Sequence, residues 1–66
     1  MQEIDIWRTA TLLIRQHGAD AGSVAAQRAD VLLEQEDRTG CAVWIKIWRA
    51  IEALQSEKPR EGEALN

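Results

Sequence analysis

Apolar positions recur at helical spacing in three stretches of the chain, and the last stretch is the densest. From Cys41 to Leu54, at about 100° per residue, Val43, Trp44, Ile47, Ala50, Ile51 and Leu54 share one face, with Lys46 and Arg49 opposite. Cys41, Ile45 and Trp48 form a second apolar stripe beside the first. One partner helix covers roughly a third of a helix circumference, so a segment with two stripes calls for two neighbours. This segment is therefore expected to sit at the centre of a small helical bundle.

The first stretch, about Glu3 to His17, carries Ile6, Trp7, Ala10, Leu13 and Ile14 on one face, with Arg8 and Arg15 on the other. Glu3 and Asp5 in its first turn and Arg15 and His17 in its last suit the helix dipole, and Gly18 supplies a left-handed stop. Leu12 falls on the polar side as an isolated exposed residue. The second helix begins at Asp20 or, with Ser23 as its cap, three residues later. Its apolar face is Ala21, Val24, Ala25, Ala29, Leu32 and Leu33; the alanines permit close approach and leave room for Trp7, Trp44 and Trp48 opposite. Arg28 projects into the middle of that apolar arc.

The acids at Glu34, Glu36 and Asp37 suit the start of a third helix better than the end of the second. Asp37 or Thr39 is its cap; with Asp37, Gly40 falls in the first turn at a cost of roughly 1 kcal/mol relative to alanine. From Ser56 the apolar period stops and charge, proline and glycine take over, which predicts a disordered tail over 56–66. The expectation is an all-α fold: a three-helix bundle over 1–55, helices at about 3–17, 20–35 and 38–55, with antiparallel neighbours running up-down-up.

Sixty-six residues make one domain, of a size whose stability is marginal without staples or association. Cys41 is the only cysteine, so no intrachain disulfide exists, and Cys41 with His17 gives two zinc ligands where four are usual. No metal or cofactor is expected. A net charge of −3 argues against a general nucleic-acid binder. The first residues lack a cationic segment and the longest apolar run is Leu12-Leu13-Ile14, so neither a signal peptide nor a membrane span is expected. The default location is the cytoplasm.

The run from Asp5-Ile6-Trp7-Arg8 to Leu12-Leu13-Ile14-Arg15-Gln16-His17-Gly18 has the pattern Trp-x-x-Ala-x-Leu-Leu-Ile-x-Gln-His-Gly. With Ala25-Ala26-Gln27-Arg28-Ala29-Asp30, Ala42-Val43-Trp44 and Arg49-Ala50-Ile51-Glu52, it resembles a family of short bacterial proteins that share a domain of unknown function. The resemblance extends nearly to Leu54. It implies a small helical bacterial protein and supplies no activity or catalytic residue. The family pattern places a glycine near the position of Glu36, where this chain has Gly40 instead.

Few residues invite a chemical role. His17 has no acid or nucleophile near it in sequence, so capping and packing is the expected use. Cys41, in the first turn of a helix, has a dipole that favours the thiolate, but it is also a good small hydrophobe and lacks a partner base. Arg28 is expected to form a buried ion pair with Asp5, Glu52 or an acid near Glu36. Arg8, Arg15, Lys46 and Arg49 read as scattered solvated charge. The Cys41, Ile45 and Trp48 strip, rimmed by Lys46, Arg49 and Glu52, is either a contact surface or covered by the first helix. No acid–base set converges, so an enzyme is not expected. The expected function is protein association, as a homodimer or as an adaptor or regulator on another protein; the alternative is a small DNA-associated regulator of helix-turn-helix type.

Overall fold

The computed structural model describes residues 2–56, which are helical apart from short connections. The elements are α1 (Glu3–His17), a single 3-10 turn (Gly18–Asp20), α2 (Ala21–Glu34) and α3 (Arg38–Gln55). The disordered tail expected over 56–66 lies, Ser56 excepted, outside the described residues.

The first connection turns on Gly18. Its N–H donates to the Ile14 carbonyl, closing α1, with φ 59° and ψ −127°. The positive φ fits the expected stop, but the ψ departs from the left-handed helical well and reaches a region glycine alone enters readily. The 3-10 turn runs straight into α2, and the Ala21 N–H donates to the Gly18 carbonyl. Asp20 occupies the cap position of α2 without a side-chain bond.

The second connection has the two bonds of a Schellman motif. The Glu36 N–H reaches the Leu33 carbonyl at 2.9 Å and the Asp37 N–H reaches the Leu32 carbonyl at 2.8 Å. The left-handed position is held by Glu36, φ 61°, where glycine is the usual occupant. Asp37 then caps α3: its Oδ1 accepts from the Gly40 N–H at 2.9 Å. Gly40 makes room for that cap, since a Cβ there would lie 2.7 Å from Asp37 Oδ2.

Ile6, Ala10 and Leu13 of α1, Ala21 and Ala25 of α2, and Ile47, Ala50 and Ile51 of α3 form the core. α3 packs on both of the other helices, which touch each other least. Ile47 and Ile51 are the largest fully buried side chains, each worth about 1.5–3 kcal/mol of burial. Ile14, Val24, Val43, Trp44, Trp48 and Leu54 are partly covered around them.

Two expectations for the buried faces need correction. Leu33 is 55% exposed and Leu32 only half-buried, while Trp7 is 40% exposed. Covering Leu32 and Leu33 requires a helix beside the last turn of α2, and the groove formed there is lined by α2 and α3 residues alone. Trp7 lies at the flank of α1 against α3, away from the alanine face of α2.

Candidate functional site

The second stripe of α3 is largely covered. Cys41 is buried as a free thiol, Ile45 is half-buried, and Trp48 is half-buried against the core. The helix over Trp48 is α2: a Cβ placed on Gly22 would lie 3.6 Å from the indole Nε1. Gly22 leaves room for the ring, so α2 packs over Trp48, where the covering alternative weighed from sequence named α1.

Arg28 is exposed, and no charged or polar residue of the described segment is buried. The expected buried ion pair is therefore absent. Its guanidinium instead stands over the Trp44 ring, 5.2 Å from the centroid. The exposed head thus meets both water and the negative ring face, which spares the desolvation that pairing in the core would require.

Arg28 and Trp44 form part of a groove of about 320 Å³ between α2 and α3, completed by Gln27, Val31 and Leu32. Val31 is 49% exposed, and Leu32 and Trp44 are half-buried, so the groove offers water a mainly apolar floor. Arg28 is the one charged residue in its lining. The sequence signal for it was Val31, an apolar residue outside the buried arc of α2 and one turn beyond Arg28.

A second groove, of about 270 Å³, lies between α1 and α3, lined by Glu3, Ile6, Trp7, Lys46, Arg49, Ala50 and Ala53. Lys46 and Arg49, both exposed, lie beside Trp7 in this groove.

Reactive chemistry has little to build on among the described residues. His17 is exposed at the end of α1, whereas Cys41 is buried. No group of three or more His, Cys, Asp or Glu side chains among them could hold a metal ion. No described helix is long and apolar enough to cross a membrane. No protein-family model matches the chain, and no curated protein or solved structure is detectably similar to it.

Proposed function

We propose that this chain is a non-catalytic, cytoplasmic helical module that works by protein–protein association, with self-association as its primary form and a partner protein as the alternative occupant. The observation that carries the reading is the groove of Arg28, Val31, Leu32 and Trp44. It holds half-exposed apolar side chains, and among the described residues the largest fully buried side chains are Ile47 and Ile51. A core that small gains stability from a second copy, and a tryptophan beside an arginine is the composition of an interface centre.

The proposal includes the architecture, a three-helix bundle running up-down-up with antiparallel neighbours and with 1–55 as the folding unit. Two observations support it. Gly22 meets Trp48 while Arg28 meets Trp44, so α2 and α3 run in opposite directions. Gln55 Nε2 donates to the Gly18 carbonyl at 2.9 Å, which brings the end of α3 to the end of α1. The resemblance to short bacterial proteins is compatible with this reading and adds no activity. Helix-turn-helix DNA binding has less support, because α3 is the central packed helix and the exposed acids Asp30, Glu34, Glu36 and Asp37 oppose a polyanion.

Sedimentation equilibrium tests the reading. The wild-type chain is expected to gain mass with concentration, and Val31→Asp is expected to remain a folded monomer. A wild-type chain that stays monomeric up to millimolar concentration rejects the self-association form.

A further inference from the structure

We propose that Gly18 is a one-residue conformational switch between the closed chain and a dimeric form of the same sequence. In the dimer α1 and α2 merge into one helix, and α1 is exchanged between two copies. Gly18 stands at φ 59° and ψ −127°. On either side the backbone is already right-handed: His17 at φ −119° and ψ −10°, Asp20 at φ −87° and ψ −1°, and Ala21 at φ −57° and ψ −41°. Ala19 lies inside the 3-10 turn, which is a right-handed helix as well. One residue therefore keeps α1 and α2 from forming a single helix over 3–34.

The hydrogen bonds at the turn suit the same change. The Gly18 N–H already donates to the Ile14 carbonyl, the bond a continuous helix would use. Asp20 gives α2 no side-chain cap. Straightening therefore sacrifices no cap, and it offers the last carbonyls of α1 to the first amides of α2. What it gives up is the exposed bond of 2.9 Å from Gln55 Nε2 to the Gly18 carbonyl, which in a continuous helix would accept from the Gly22 N–H.

Once α1 is straightened away it no longer reaches its own α3. α1 packs far more on α3 than on α2, and its Ile6, Ala10 and Leu13 share the core with Ile47, Ala50 and Ile51. A second copy opened in the same way offers that identical surface, so the core re-forms between chains from the same side chains. The occupant is thus fixed by the sequence of α1 itself. Glycine keeps the natural chain closed, because it takes a positive φ without steric cost and is a poor residue for a helix interior. Its single atom of side chain decides which fold is populated.

Gly18→Ala tests the switch, made in the full-length Val31→Asp chain so that association through the α2–α3 groove is kept apart from exchange of α1. A Cβ on Gly18 would meet no atom within 4 Å, so alanine acts through the backbone alone. It disfavours the closed turn and favours the continuous helix, and every dimer contains two such positions. Sedimentation equilibrium is expected to show a dimer dissociation constant lower by about a hundredfold or more than with glycine, while circular dichroism stays helical. Cross-linking then identifies the exchange. With Cys41→Ala in place, Glu3→Cys and Lys46→Cys put two thiols on one α1–α3 groove, to be joined by a short bismaleimide. The link is expected within one chain when residue 18 is glycine and between two chains when it is alanine. A Gly18→Ala chain that stays a folded monomer overturns the switch, and so does a dimer linked only within its chains. A chain left unfolded at millimolar concentration overturns it too, because the exchanged form places no strain on alanine.

Discussion

Replacing Glu36 with glycine should stabilise the chain, although it deletes a whole side chain. Glu36 holds φ 61° because the Schellman turn between α2 and α3 requires a left-handed residue there. For an L-residue that conformation costs about 1–2 kcal/mol. Glycine removes the cost but loses more backbone freedom on folding, a penalty of about 0.5–1 kcal/mol. The balance is a gain of roughly 0.5–1 kcal/mol, or about 2–8 °C in Tm for a domain of this size. Removing the charge has two opposing effects of similar size, because Glu36 follows the C-terminus of α2 and precedes the N-terminus of α3. Glu36→Ala isolates that charge effect, since alanine keeps the Cβ, and its stability should stay within about 0.5 kcal/mol of wild type. Urea unfolding followed by far-UV circular dichroism compares the three chains. A Glu36→Gly chain no more stable than Glu36→Ala would refute the backbone argument.

Arg28→Ala should cost about 0.5–1 kcal/mol in urea unfolding, the worth of an exposed cation–π contact; a loss of about 3 kcal/mol or more would restore the buried ion pair. Asp37→Ala should cost about 1 kcal/mol through loss of the α3 cap, while Thr39→Ala, the other cap weighed from sequence, should change thermal stability much less. Gly22→Ala should raise Tm, by up to about 1 kcal/mol in stability, because the new methyl meets Trp48 at ordinary contact distance; a lower Tm would mean that the indole has no room to share.

The central place of α3 was legible because two adjacent apolar stripes on one helix demand two neighbours, and both α1 and α2 pack there. Ile47, Ala50 and Ile51 were readable as core for the same reason. What the pattern could not supply was how far each neighbour extends. Val31 and Leu33 are apolar residues near an end of α2 that α1 does not line, and periodicity records polarity without recording coverage. Arg28 was visible as an anomaly, but its partner was sought among carboxylates. Trp44, already placed on the apolar face of α3, was the group within reach. The left-handed Glu36 had no signal in its own side chain, since that conformation is set by the hydrogen bonds that close α2. Lys46 and Arg49 were placed correctly on one face of α3. That Trp7 joins them depends on the packing of α1, which helical spacing alone does not fix.

The account rests most heavily on the α2–α3 groove being a contact surface, and sedimentation equilibrium of the wild-type and Val31→Asp chains over micromolar to millimolar concentrations tests it most directly. Val31 is 49% exposed, so the variant should fold and retain its helical circular dichroism. The account predicts a wild-type mass that rises toward twice that of the chain and a Val31→Asp mass that does not rise. A wild-type monomer at every concentration, or a Val31→Asp chain that associates as the wild type does, would contradict it.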